Sequence, residues 1–168
     1  MDTNIEPLNV SIRQSAIGRI GIARRGEVIT NLFFAEGATP SERDAATSPL
    51  LDEAFRQLDA WLSGQITAFS LPLAPEGTEF MRQVWQALSG IPYGESSTYL
   101  GLALRIGAPG AARAVGNACG RNPLPIFIPC HRVVRNDGNP GGYLGGPELK
   151  RTLLDLERRY RDLFRWSK

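Results

Sequence analysis

Apolar and polar positions alternate over the opening part of the chain, and the alternation breaks into three short runs. Leu8–Ile12, Ile17–Ala23 and Val28–Phe34 each read as a strand, the last two joined by the turn Arg24-Arg25-Gly26-Glu27. After a polar, loop-like stretch from Glu36 to Ser48 the period changes. Ser48-Pro49 is placed to open a helix, because a proline at the first helical position lacks only an N–H that would have no partner there. Leu51, Phe55, Leu58 and Leu62 then recur on one face, and Ser63-Gly64 stops the run. Ile66–Leu73 reads as another strand, closed by Pro72 and Pro75. This part predicts a small α+β scaffold and holds no chemical constellation.

The Pro72–Gly77 stretch is the natural boundary, giving domains 1–76 and 77–168. Beyond it Thr78 can cap a helix whose Phe80, Val84, Trp85 and Leu88 form a buried stripe ending at Gly90. Ser97 or Thr98 caps a second helix, Tyr99–Arg105, stopped by Gly107-Ala108-Pro109-Gly110, and a third follows over Ala111–Cys119. Helix, short glycine-containing turn, helix is the arrangement that sets a second helix into a DNA groove. Nearly every side chain of the third helix is Ala or Gly, with Arg113 its one long group. A helix of small residues packed tightly on a neighbour, with Arg113 as ordinary surface charge, fits the same pattern. A last amphipathic helix is expected over Pro147–Phe164.

A hydrophobic fraction of 42% over 168 residues is enough for a core. No segment approaches the roughly 20 apolar residues of a membrane span. The polar, acidic start Met1-Asp2-Thr3-Asn4-Ile5-Glu6 is unlike a secretory signal. With two cysteines, this predicts a reducing, cytoplasmic setting in which a Cys119–Cys130 bridge is not expected. The net charge of +2 hides an asymmetry. Residues 1–76 carry six Arg against ten acidic residues, whereas 77–168 carry thirteen Arg and Lys against seven. The basic half suits an anion such as nucleic acid, although two halves neutralising each other would show the same division.

The chemistry concentrates at one place. His131 is the only histidine, and it follows Cys130 in Ile126-Phe127-Ile128-Pro129-Cys130-His131-Arg132-Val133-Val134. A thiol becomes a strong nucleophile on losing its proton, and imidazole can accept that proton near neutral pH. On adjacency alone, a small buried hydrophobe beside a satisfied core histidine is the more economical account. Neighbouring side chains on an extended segment also point to opposite faces.

Five segments change that balance. Ile91-Pro92-Tyr93-Gly94-Glu95, Ala112-Arg113-Ala114-Val115-Gly116, Arg121-Asn122-Pro123, Ile128-Pro129-Cys130-His131-Arg132-Val133 and Gly142-Tyr143-Leu144-Gly145-Gly146 together resemble the O6-alkylguanine–DNA alkyltransferases. Their order and spacing span residues 77–157, about half the chain. The resemblance implies an α+β fold: a small RNase H-like N-terminal domain, then a mostly helical C-terminal domain with a winged helix-turn-helix. It also implies direct-reversal repair, in which the alkyl group of O6-alkylguanine in duplex DNA passes irreversibly to the protein's own cysteine.

The resemblance assigns roles residue by residue. Cys130 is the alkyl acceptor, His131 its base acting through a water, and Glu157 the carboxylate that orients the imidazole. On spacing alone Glu157 also suits a surface ion pair with Arg161 at i, i+4. Arg113 corresponds to a finger that fills the space left by the extruded nucleotide, flanked on the DNA side by Ala112, Ala114 and Gly116. Tyr99 pushes on the target phosphate and donates to the flipped base, and Asn122 braces the link between recognition helix and acceptor segment. Pro125, Val133, Tyr143, Leu144 and Gly145 form the substrate pocket. The partner is double-stranded DNA, bound by a monomer with no obligate protein partner, and no cofactor is called for. Some relatives hold a structural zinc in the first domain; the histidines and cysteines for one are missing here.

Two departures stand out: Leu144 where small residues or serine are frequent, and Asn117 in an otherwise small recognition helix. Alkylation-triggered transcription control usually comes with an extra metal-binding domain, which is not expected here, and two other functions compete with this reading. A lesion-binding module of the same fold would lack the acceptor cysteine, and a thiol hydrolase would need an oxyanion hole that nothing marks.

Overall fold

The computed structural model describes residues 5–37 and 48–166. The chain divides into two compact units, Met1–Pro75 and Glu76–Lys168. Most of the predicted Glu36–Ser48 loop lies outside the described residues.

In the first unit, strands β1 (Leu8–Ser15), β2 (Gly18–Arg25) and β3 (Val28–Phe34) form an antiparallel meander in sequence order. β3 keeps the expected bounds, while β1 and β2 run on into the tight turns that join the strands, with Gly18 at φ +108° and Gly26 at φ +57° supplying backbone that L side chains resist. Helix α1 (Pro49–Leu62) starts where expected, Ser48 accepting from the Leu51 amide at 3.0 Å. It buries Leu51, Ala54, Phe55, Leu58, Trp61 and Leu62, and the sheet contributes Ile20, Ile22, Ile29 and Leu32 to the same core.

Ile66–Leu73 is not a strand, contrary to the expectation. Only Leu73 bridges the sheet, beside Ile29, through Ile29 N–H to Pro72 O and Ala74 N–H to Ile29 O. The buried Gln57 side chain takes the Ser70 amide at 2.9 Å, and Pro72 has no N–H to offer a ladder.

In the second unit, α2 (Glu79–Ser89) is capped by Thr78 and buries Val84, Trp85 and Leu88, while Phe80 is only half-buried. Trp85 Nε1 donates to Ala118 O at 2.9 Å, tying α2 to α4 (Ala112–Gly120). Thr98, not Ser97, caps α3 (Tyr99–Arg105), and α3 and α4 form the helix-turn-helix. Two-residue strands β4 (Ser97–Thr98) and β5 (Val133–Val134) pair in parallel beside it. Helix α5 (Pro147–Trp166) closes the unit, burying Lys150, Leu153, Leu154 and Glu157. Among the described residues no helix is long and apolar enough to cross a membrane.

Candidate active site

The apolar run Leu124–Val133 is buried throughout, but it is not extended at the cysteine. Asn122 organises its approach: the side-chain amide donates to Ile128 O at 2.9 Å and its oxygen accepts from Leu124 N–H at 2.9 Å. Inside this loop Ile126 takes φ +75°, an outlier for a β-branched residue that the surrounding contacts must hold in place. Cys130–Arg132 then forms one turn of 3-10 helix before β5. A tight turn, not an extended strand, therefore carries Cys130 and His131.

Glu157 is the hub beneath the turn. Its carboxylate, 1% exposed, accepts from His131 Nε2 at 2.8 Å and from the Gly94 amide at 3.1 Å. Arg132 adds Nε at 2.9 and 3.0 Å to the two oxygens and Nη2 at 2.7 Å, while its Nη1 donates to Ile91 O at 2.7 Å. The i, i+4 pair with Arg161 does not form; Arg161 instead meets Gly94 O and Asp162. An ionised carboxylate can only accept, so Nε2 of His131 is assigned the proton and the neutral ring's lone pair lies on Nδ1. Burial would raise the Glu157 carboxyl, but the bonds and charges of His131 and Arg132 outweigh it and hold the group below its ordinary 4.5. Burial also pushes His131 below 6.5, against the pull of Glu157. The imidazole is thus neutral at pH 7 and able to accept a proton.

Cys130 opens into a cavity of about 370 Å³ lined by Tyr99, Gly116, Cys119, Gly120, Gly142, Tyr143 and Leu144. Burial pushes its thiol up to about 11, opposed by the Asn122 side chain and the charge of Lys150. The free thiol therefore keeps its proton at pH 7, and activation calls for a base. Tyr99, at the start of α3, is half-buried at the cavity wall. Gly141 faces it at φ +80°, where a Cβ would stand 3.1 Å from the Tyr99 hydroxyl.

Of the pocket residues expected from sequence, Tyr143 and Leu144 line the cavity, whereas Pro125, Val133 and Gly145 do not. Val133 is fully buried and paired with Ser97. Pro125 is buried in the Asn122 loop, and Gly145 lies in the turn before α5. Arg113 and Ala114 are exposed on α4, with Ala112 and Gly116 half-covered. Three residues went unassigned: Arg132, the counter-charge of Glu157; Cys119, on the cavity wall; and Lys150, fully buried, with Nζ donating to Gly142 O at 3.2 Å. The Arg directly after His131 was the one available signal. A lysine on an amphipathic helix reads as solvent-facing, so Lys150 carried none.

Two family profiles match the chain: "6-O-methylguanine DNA methyltransferase, ribonuclease-like domain" over residues 10–75, and the DNA binding domain of the same name over residues 79–159. A methylated-DNA–protein-cysteine methyltransferase of Methanosarcina barkeri is 46% identical over 149 residues, covering 87% of this chain and 94% of that protein. The constitutive protein of that name from Bacillus subtilis is 42% identical, covering 86% and 92%. The crystal structure of Mycobacterium tuberculosis O6-methylguanine methyltransferase matches with a TM-score of 0.82 at 42% identity, over 92% of this chain and 94% of that one. A second structure from that organism, in complex with DNA, matches with a TM-score of 0.81 at 42% identity, over 90% and 94%.

Proposed function

The chain belongs to the 6-O-methylguanine DNA methyltransferase family, and from that premise we propose that Cys130 is the sulfur that takes the alkyl group. The activity is DNA repair by alkyl transfer from methylated DNA to a protein cysteine. The observation that carries the assignment is the shared cavity: Cys130, Tyr99 and the small residues Gly116 and Gly120 of α4 border one space, and the turn that holds Cys130 also holds His131, buried and bonded to Glu157.

The site residues act as follows. The thiol proton passes through a bridging water to Nδ1 of His131, and Glu157 answers the imidazolium charge through Nε2. Sγ attacks the alkyl carbon, the carbon–O6 bond breaks, and its electron pair leaves with guanine, which takes up one proton. The sum is Cys–SH plus O6-alkylguanine giving Cys–S–alkyl plus guanine. A thioether has no ready leaving group, so each molecule repairs one lesion. The target base must leave the stack, at a cost of a few kcal/mol that is lower at a damaged pair. Arg113 fills the vacancy, and Tyr99 donates to the extruded base. The partner is lesion-containing duplex, bound by a monomer.

Intact-protein mass after incubation with a methylated oligonucleotide tests this reading. One methyl increment, on the Cys130 peptide, is expected. No increment, or one on the Cys119 peptide, would overturn it.

A further inference from the structure

Helix α4 turns one face outward: Arg113, Ala114, Asn117 and Gly120 are exposed while Val115, Ala118 and Cys119 are buried. Arg113 and Asn117 are one turn apart on that face, about 6 Å along the axis at roughly 1.5 Å per residue. Base pairs are stacked about 3.4 Å apart, so a side chain one turn beyond the finger reaches a pair one or two steps from the lesion. The Asn117 amide makes no hydrogen bond to another described residue. It opens onto a groove of about 610 Å³ bordered by Thr78, Phe80, Met81 and Arg121. Gly116 and Gly120 line both this groove and the Cys130 cavity, which makes the two openings neighbours across the helix.

A major groove about 12 Å wide takes a helix with ordinary side chains, whereas a minor groove is only about 6 Å wide. An outward face that is alanine and glycine apart from Arg113 and Asn117 suits the narrower one. There A·T and T·A pairs present acceptors only, and guanine adds the N2 amine. A primary amide matches that edge with two bonds: Oδ1 accepts from N2–H, and Nδ2 donates to N3. We propose that Asn117 is a specificity-determining residue, its amide reading the minor-groove edge of a guanine one or two steps from the alkylated base. The inference rests on the reading of Cys130 as acceptor and α4 as the DNA helix.

The test measures single-turnover methyl transfer at subsaturating protein, on duplexes carrying O6-methylguanine. Each of the two base pairs on either side of the lesion is presented in turn as G·C or as inosine·C, which lacks only the N2 amine. A good bidentate contact separates right from wrong base by about fivefold or more. At one of the four positions the G·C to inosine·C rate ratio should be about fivefold higher for the wild type than for Asn117→Ala. Each ratio is taken within one protein, so a lower folded fraction cancels. Easier base extrusion beside the weaker inosine·C pair is common to both proteins. Equal ratios in the two proteins at all four positions would overturn the inference while leaving the acceptor reading intact. Absence of transfer on every duplex would remove the acceptor reading, and this inference with it.

Discussion

Replacing Glu157 by Gln should destabilise the second unit sharply, because it strips a buried cation of its counter-charge. Arg132 is 7% exposed and spends three of its four close contacts on Glu157. In the Glu157→Gln variant one of the two carboxylate oxygens becomes an amide donor facing the guanidinium and the Gly94 amide, which are themselves donors. Breaking a buried pair by removing one partner costs about 3–5 kcal/mol. For a unit spanning Glu76–Lys168 that corresponds to a fall in Tm of at least roughly 12 °C, at about 4–8 °C per kcal/mol. Urea unfolding, followed with a probe in the second unit because two units need not melt together, gives the free energy directly. The double variant Glu157→Gln/Arg132→Met removes the stranded charge and should recover much of the loss. The pH profile supplies a second check. A carboxyl held below 4.5 in the folded state contributes stability that is present above 4.5 and lost as pH falls through the folded value; the Glu157→Gln variant should lack that acid-dependent component. A loss below about 1 kcal/mol, or a double variant no better than the single one, would refute the claim that the carboxylate is the hub.

Cys130→Ala should abolish transfer yet bind alkylated duplex about as well as the wild type in a gel-shift titration at fixed salt, since phosphate contacts from the basic half supply most of the affinity; residual stoichiometric methylation of this variant would end the acceptor assignment. Arg113→Ala should slow transfer from duplex while reaction with free O6-benzylguanine stays near the wild-type rate, because only a duplex leaves a hole to fill; equal slowing of both would move the residue from finger to fold. His131 is held below 6.5 by burial, so the unfolded chain binds its proton first and stability should decline as pH falls below 6.5 toward the folded value. In His131→Gln, urea unfolding from pH 7 to 5 should lose that component of the slope, and an unchanged slope would locate it elsewhere.

Local pattern carried most of the elements. Ser48, Thr78 and Thr98 cap helices because a side-chain oxygen and a free amide lie three residues apart, a relation written in sequence. The stripes of α1 and α2 follow from helical periodicity, and the turn at Gly26 from the need for positive φ, whereas Gly18 falls inside the predicted strand Ile17–Ala23 and in the structure stands at the β1–β2 turn. Cys130 and His131 stand out as rare and adjacent, but it is the order and spacing of five short segments that mark them as chemistry. What tertiary structure decided involves partners distant in sequence. Ile66–Leu73 has strand composition, yet Gln57, thirteen residues before Ser70, takes the amide a ladder would need. Arg132 and Glu157 are 25 residues apart, and each alone reads as surface charge. Only the packing of α5 against the Cys130 turn removes both from water, and desolvation makes their pairing obligatory. The same packing buries Lys150 and sets the protonation of thiol and imidazole, because pKa values follow burial and neighbouring charge, quantities that exist only once the chain has folded.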